Sequence, residues 1–185
     1  MEIKLTSLAD GTYEEYQYLE ALDHALSRNL AEDLAVLFAT TDRETGYLIS
    51  PMRHALQTAT RALRDSTDDE MVVAALFHDI GDCISPINHA HVGAEILRPY
   101  ITERTHWILA HHSIFQGYFF WHHIGKNRHE RDRFRGHPHF EGCAAFCERW
   151  DQVSFDPHYD TLPLVAFIPI VRRVLDRKPF ALWQG

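Results

Sequence analysis

The sequence predicts an all-α protein built around one core. Apolar residues recur at intervals of three and four over most of the chain, which is the spacing of one helix face. No segment alternates apolar and polar residues between turn signals, as a half-buried strand would. The chain has 185 residues, of which 45% are hydrophobic, and this is enough to bury the core of a single domain. We therefore expect one helical domain over residues 1–185.

The first two predicted helices follow from leucine spacing and from a capping sequence. Leucines recur every three or four residues across residues 13–39, which predicts one long helix in the N-terminal part of the chain. The polar segment at residues 41–46 interrupts this pattern. Ser50 is a typical N-cap and Pro51 suits the first helical position, so a second helix is expected to run to about Arg64.

The third predicted helix is the most apolar part of the chain. Asp68 or Thr67 can cap it, and residues 71–77 are apolar on every side, which indicates a helix buried at the centre. It is expected to end near Gly81. Residues 114–138 are rich in aromatic residues and histidine and read as largely irregular. Further helices are predicted over residues 88–97, 102–112, 127–134, 139–152 and 164–175.

Composition excludes several classes of function. The formal net charge is −8, which argues against a nucleic-acid partner. The N-terminus lacks the basic start and apolar run of a signal peptide, and no stretch approaches the roughly 20 apolar residues that span a bilayer. The cysteines Cys83, Cys143 and Cys147 fit a reducing compartment. Cys143 and Cys147 share a helix face, where burial is favoured over a zinc pair. We expect a cytoplasmic protein that contacts neither nucleic acid nor membrane.

Several of the fourteen histidines interrupt or end helices that belong in the core. His78 and Asp79 end the most apolar helix, where an ionised carboxylate is costly unless it is paired or bound to a cation. The other polar residues placed in this way are His54, His89, His111 and Asp151. Such a pattern is expected when several helices direct ligands at one buried site. Imidazole and carboxylate ligands suit iron, manganese and zinc.

The order of these residues resembles the HD superfamily of metal-dependent phosphohydrolases. That superfamily carries the pattern His, His-Asp, Asp, which here corresponds to His54, His78-Asp79 and Asp151. With His89 and His111 added, the order resembles the dinuclear branch that includes myo-inositol oxygenase and the hydroxyphosphonate-cleaving oxygenase. Four local sequence contexts are also similar to that oxygenase, namely His-Ala-Leu-Gln-Thr-Ala, Leu-Phe-His-Asp-Ile-Gly, His-x-x-Val-Gly-Ala-Glu and Arg-Trp-Asp. The resemblance covers residues 47–155, and leaves an N-terminal helix in residues 1–45 and a C-terminal helix in residues 156–185.

The resemblance implies a metal centre with two ions. Asp79 would bridge them, and the second ion would keep open positions for substrate or dioxygen. One ion would be held by His54, His78 and Asp151 and the other by His89 and His111. The implied cofactor is a mixed-valent Fe(II)/Fe(III) pair, with single or paired manganese, nickel, magnesium or zinc as the alternative. The implied partners are a small molecule and dioxygen, in a monomer or homodimer.

Two enzymatic functions remain open, with an inactive regulatory protein as a third possibility. The first is an oxygenase that oxidises or cleaves a small hydroxylated substrate. The second is a phosphohydrolase, for which cationic side chains should surround the site. The arginines near the motifs are few, namely Arg53, Arg98 and Arg149. Arg149 is accordingly a candidate for binding an anionic substrate group, or else a surface residue.

The predicted substrate pocket departs from the oxygenase relatives. Asp82 stands where they carry a basic residue, and Phe115 stands where they carry a lysine that binds the phosphonate. Both changes remove cationic partners, so we expect a substrate other than a phosphonate. We assign Asp82 a catalytic and substrate-binding role beside Asp79, because it can accept a hydrogen bond from a hydroxyl or pair with an amine. An aromatic wall that includes Phe115 and Tyr118 would suit a cationic or partly apolar substrate, with core packing as the alternative.

Two further residues complete the predicted substrate site. Tyr47 stands shortly before the first histidine, as a gating tyrosine does in the oxygenase relatives. His112 directly follows His111 on the same helix. It is expected to face the substrate or to support the metal ligands, with the alternative that it is itself the ligand.

Overall fold

The described part of the chain, residues 3–27 and 29–180 of the computed structural model, is helical and contains no strand. This confirms the predicted all-α class. Its α-helices are α1 (Tyr13–Ser27), α2 (Leu30–Ala39), α3 (Pro51–Arg64), α4 (Asp69–Phe77), α5 (His89–Leu97), α6 (Glu103–Phe120), α7 (Phe140–Phe146) and α8 (Ile168–Leu175). Short 3-10 turns connect several of them, and a π-helical turn, Cys147–Asp151, follows α7. None of the described helices is long and apolar enough to cross a membrane.

Helix α4 forms the centre of the fold, as its composition predicts. All of residues 71–77 are buried, and the helix packs against α3, α6 and α8. The Asp68 carboxylate caps it by accepting a hydrogen bond from the Met71 amide, and Ser50 caps α3 in the same way from the Arg53 amide. Each such cap is worth about 1 kcal/mol. The caps fix where α3 and α4 begin, and therefore where their metal-ligand candidates lie.

The C-terminal helix is tied to the start of α4 by ion pairs. Arg173 binds the Asp69 carboxylate with Nε at 2.8 Å and Nη2 at 3.1 Å. Arg177 Nη1 lies 2.5 Å from Oε1 of Glu70, whose other oxygen accepts a hydrogen bond from the Thr102 amide at 2.9 Å. Burial raises the pKa of Glu70, but these hydrogen bonds outweigh it and hold the pKa below its ordinary value. The start of α4, the start of α6 and the end of α8 are thereby fastened at one point.

Several helix boundaries differ from the sequence prediction. The central helix α4 ends at Phe77 instead of near Gly81, and residues 127–134 contain only a 3-10 turn, Glu130–Phe134. The predicted long N-terminal helix is divided into α1 and α2. The sequence does not reveal this division, because the leucine spacing continues across it. Helix α6 continues to Phe120 instead of ending near His112. Gly117 lies within this helix, and the Trp121 ring packs directly over it. A Cβ at Gly117 would stand 2.3 Å from that ring.

Candidate metal centre

Two buried histidines, His54 on α3 and His78 at the end of α4, point their Nε2 atoms at each other. His54 Nδ1 lies 2.8 Å from the Ser154 carbonyl oxygen, and His78 Nδ1 lies 2.9 Å from the Ala75 carbonyl oxygen. Because a carbonyl only accepts hydrogen bonds, each Nδ1 carries a proton and each Nε2 of the neutral ring presents a lone pair. The two Nε2 atoms are 3.1 Å apart.

Two carboxylates complete this group of acceptors. Asp151 Oδ1 lies 3.2 Å from His54 Nε2, and Asp79 Oδ2 lies 3.2 Å from His78 Nε2. The crossed distances are 3.7 Å in both cases. Four lone-pair donors therefore converge with no hydrogen between them. A metal about 2.1 Å from each ligand atom separates neighbouring ligands by about 3.0–3.5 Å, so this set fits a transition-metal ion.

A second pair of histidines faces the other oxygen of Asp79. Oδ1 of Asp79 lies 3.3 Å from His89 Nε2 and 3.2 Å from His112 Nε2. Each of these rings also engages a backbone carbonyl through Nδ1, that of Pro86 at 2.9 Å and that of Leu109 at 2.7 Å. Asp79 thus presents one oxygen to each histidine pair, and the ligand atoms of His78, Asp79 and His112 all lie within 4.8 Å of one another.

Gly81 allows His89 to reach the centre. It lies in the 3-10 turn that follows Asp79, and α5 begins against this turn. A Cβ at Gly81 would stand 2.2 Å from the backbone carbonyl oxygen of His89. Only glycine permits this approach, and the approach brings His89 from a separate helix to the Asp79 carboxylate.

The pKa shifts of His78 and Asp79 indicate that this group of residues favours a positive charge. Burial alone lowers the pKa of His78, but the Asp79 and Asp151 carboxylates outweigh it and raise that pKa above its ordinary value. Burial raises the pKa of Asp79, yet His78 and His112 hold it well below the usual range. Both shifts stabilise a positive charge beside the carboxylates, and a metal cation at the Nε2 atoms would supply that charge in place of a proton.

His111 lies outside this centre, and the structure corrects its assignment as a ligand. Its ring stacks on Trp107 with centroids 4.1 Å apart and meets Phe134 edge-on, and its Nδ1 donates to the Trp107 carbonyl oxygen. Neighbouring residues on a helix point about 100° apart, so only one of the two adjacent histidines can face Asp79. That residue is His112.

A cavity of about 480 Å³ opens over the centre. Asp82 borders it, with Oδ1 3.3 Å from His89 Nδ1. Tyr47 also borders it and packs on Phe155, which in turn stacks on the His54 ring with centroids 4.4 Å apart. The structure therefore places the predicted residues Asp82 and Tyr47 beside the cluster. Apart from the ligand candidates, the wall includes Tyr47, Asp82, Gln116, Phe119, Phe120 and Phe155.

The structure does not bring three predicted substrate residues to this cavity. Phe115 is fully buried and packs on Trp107, so the alternative of core packing applies to it. Tyr118 lies under the guanidinium of Arg131, 3.6 Å from its ring centroid. Arg149 pairs with the Asp65 carboxylate at 2.8 Å, away from the centre.

One shift of register explains the error on α6. Residues four apart share a helix face. If His111 is taken as the ligand, Phe115 is predicted to line the cavity, whereas His112 as the ligand predicts Gln116 and Phe120 there. Gln116 and Phe120 line the cavity. The spacing from His112 was the available signal for them. Phe155 had no such signal, because it follows the π-helical turn that carries Asp151 and lies in an irregular segment.

Comparison with known proteins supports the arrangement. A family model described as HD domain matches residues 48–143. The match includes His54, His78, Asp79, His89 and His112 and ends before Asp151. A search of curated proteins gives no significant match.

Proposed function

The chain belongs to the HD-domain family, whose members are generally metal-dependent enzymes, and we propose that it is a dinuclear non-haem di-iron oxygenase. It would use dioxygen to oxidise or cleave a small hydroxylated substrate other than a phosphonate. The observation that carries this proposal is the position of Asp79. Its Oδ2 lies beside the Nε2 atoms of His54 and His78, while its Oδ1 lies beside those of His89 and His112.

The two ligand sets differ in a way that suits this chemistry. The first set offers the ligand atoms of His54, His78 and Asp151, with Asp79 Oδ2 3.7 Å from His54 Nε2 and 3.2 Å from His78 Nε2. The second offers two imidazoles and one shared carboxylate, which leaves positions open for small molecules. When bound, a mixed-valent Fe(II)/Fe(III) pair supplies the redox chemistry. The chain fixes the ligands through the four Nδ1 hydrogen bonds to backbone carbonyls, which orient each ring before any metal arrives.

Other residues of the cavity would bind and position the substrate. Asp82 faces the cavity with a carboxylate that accepts a hydrogen bond from a substrate hydroxyl and can hold its proton. Tyr47 and Phe155 cover the His54 side, while Phe119 and Phe120 border the cavity from α6. These aromatic side chains would limit the access of water to a bound substrate on those sides of the cavity.

A phosphohydrolase is the second candidate, and the cavity argues against it. Phosphoryl transfer needs cationic groups around the transferred phosphoryl oxygens. None of the described residues that line the cavity is a lysine or an arginine. Arg53 donates to the Pro157 carbonyl at 3.0 Å, Arg98 pairs with Glu95 at 3.2 Å, and Arg149 pairs with Asp65. All three arginines near the motifs therefore have other partners.

The proposal is tested by comparing two activities on the same preparation. Iron-loaded protein is assayed for dioxygen uptake in the presence of small hydroxylated compounds, and manganese- or nickel-loaded protein for release of a chromogenic phosphoester product. The proposal expects dioxygen uptake that needs iron and is lost in Asp79→Asn. Phosphoester turnover with manganese, nickel or magnesium, and no dioxygen uptake with iron, would establish the hydrolase instead.

A further inference from the structure

Gln116 occupies a position on the cavity wall that fixes the direction of its amide. It lies one turn after His112 on α6, and its Nε2 is 3.1 Å from Oδ1 of Asp151. A carboxylate ligand only accepts hydrogen bonds, so the amide nitrogen must face Asp151 and the amide oxygen must face the other way. The orientation of Gln116 is thus set by a residue of the metal centre.

The amide oxygen of Gln116 is left without a partner. Oε1 is buried from solvent and accepts no hydrogen bond from any described residue. A buried acceptor without a donor costs about 1–3 kcal/mol, and proteins seldom retain one that has no use. Gln116 lines the cavity above the centre, and a bound molecule that brings a hydrogen-bond donor to Oε1 would satisfy this oxygen.

The other groups on the wall favour a positively charged donor. Asp82 adds a carboxylate that is not among the proposed metal ligands, and its side chain is 30% exposed toward the cavity. Phe119, Phe120 and Phe155 add aromatic faces, which attract cations through their negative π clouds. No lysine or arginine on the described part of the wall opposes this preference. Ser113, His123 and Gln152 add further polar groups to the wall, and none of these three side chains carries a permanent positive charge.

We propose that the cavity binds a small amino alcohol, whose ammonium group donates a hydrogen bond to Oε1 of Gln116 and is balanced in charge by Asp82. This inference rests on the proposed function, in which the hydroxyl group is the one presented to the metal centre. Gln116 is then the specificity-determining residue that distinguishes this chain from relatives that bind an anionic group.

The test measures binding without turnover. Metal-loaded protein is titrated under anaerobic conditions by calorimetry with four small hydroxylated probes, namely 2-aminoethanol, ethylene glycol, glycolate and the larger 2-hydroxyethylphosphonate. The proposal expects 2-aminoethanol to bind about tenfold or more tightly than ethylene glycol, because a hydrogen bond to a charged group contributes about 1.5–3 kcal/mol. Tighter binding of glycolate or the phosphonate, or no measurable preference, would overturn it.

Variants separate the contribution of each group. Gln116→Leu should lower the affinity for 2-aminoethanol about tenfold, and Gln116→Lys should reverse the preference toward glycolate. Asp82→Asn, a change of nearly equal size, should weaken 2-aminoethanol more than ethylene glycol, because only the ammonium group needs the negative charge of the carboxylate. Gln17→Leu, on the exposed face of α1, is the matched control and should alter none of these affinities. Unchanged probe preference in Gln116→Lys and Asp82→Asn, with metal content intact, would contradict the inference.

The two proposals fail in different ways. If the oxygenase assignment is wrong but this inference holds, 2-aminoethanol is still preferred while dioxygen uptake is absent. If the inference is wrong but the oxygenase assignment holds, the protein takes up dioxygen with a neutral or anionic hydroxylated compound. Binding to manganese-loaded protein provides a readout that does not depend on iron redox chemistry.

Discussion

The Nε2 atom of His112 lies 3.2 Å from Oδ1 of Asp79, whereas the Nε2 atom of His78 lies 3.2 Å from the other oxygen, Oδ2. This contact connects α6 to the turn after α4 and completes the second ligand set with His89. The adjacent His111 stacks instead on Trp107. The pair of neighbouring histidines therefore divides into a ligand candidate and a packing residue.

We predict that replacing His112 lowers the metal content, whereas replacing His111 leaves it unchanged. His112→Ala should lower the metal content from two ions to one per chain and abolish activity, because the second set would keep only one imidazole. His111→Ala should keep both ions and lose only packing stability. Elemental analysis of both purified variants measures the difference. Retention of two ions in His112→Ala, or loss of one in His111→Ala, would show that this register of α6 is incorrect.

Gly81 gives a second prediction, which concerns the route of His89 to the centre. A Cβ at this position meets the His89 backbone carbonyl at 2.2 Å, and two backbone segments must move apart to accept it. Gly81→Ala should destabilise the fold by about 1–3 kcal/mol and weaken the second metal by about tenfold or more. Urea unfolding and metal titration measure these effects. Gly46→Ala is the control, because nothing lies within 4 Å of its Cβ, and equal behaviour of the two variants would refute the prediction.

The Glu70 link predicts a pH-dependent contribution to stability. Its folded-state pKa lies below the ordinary value of 4.5, so its contribution is fully present above that pH and is lost as the pH falls through the folded-state pKa. Glu70→Gln should cost about 1–3 kcal/mol at pH 7, because it weakens the contacts to Arg177 and Thr102. Its difference from the wild type should shrink below about pH 4.5. Urea unfolding at several pH values measures this.

The exposed Glu44, in the segment before α3, supplies a control for that series. Glu44→Gln should change the free energy of unfolding by less than about 0.5 kcal/mol at every pH. A Glu70→Gln penalty that stayed constant down to about pH 3 would show that the carboxylate charge does not contribute.

Removal of metal should destabilise the protein. Without a cation, the acceptors of His54, His78, Asp79 and Asp151 face one another at 3.1–3.7 Å. A metal at about a hundred times its dissociation constant adds about 2.7 kcal/mol, so chelation should lower the Tm by about 5–10 °C. Calorimetry with and without chelator measures the shift. His54→Ala should show a smaller shift, and an equal shift in both proteins would argue that the stabilising metal binds elsewhere.

The helical class and the residue types of the centre could be predicted from the sequence. The positions of those residues relative to one another could be predicted only in part. His54, His78, Asp79, His89 and Asp151 could be selected because a polar residue at the end of an apolar helix is costly to bury unless it binds a partner or a cation. The choice between His111 and His112 could not be made in this way. Two adjacent histidines have the same residue type, and only the rotation of α6 in its packed position decides which one faces Asp79.

The remaining errors have a related origin. Residues 114–120 contain so many aromatic side chains that no single helical face stands out, and the continuation of α6 was missed. The register error then placed Phe115 in the cavity and overlooked Gln116. Phe155 reaches His54 only because the π-helical turn at Cys147–Asp151 redirects the chain, and a local pattern cannot predict this.

The central claim is that Asp79 bridges two metal ions, and the number and coupling of those ions test it most directly. Protein loaded with iron without oxygen is analysed for iron per chain and, after partial oxidation, by electron paramagnetic resonance. We predict two irons per chain and a coupled mixed-valent signal that disappears in Asp79→Asn. One metal per chain at saturation, with the signal of an isolated ion, would contradict the claim.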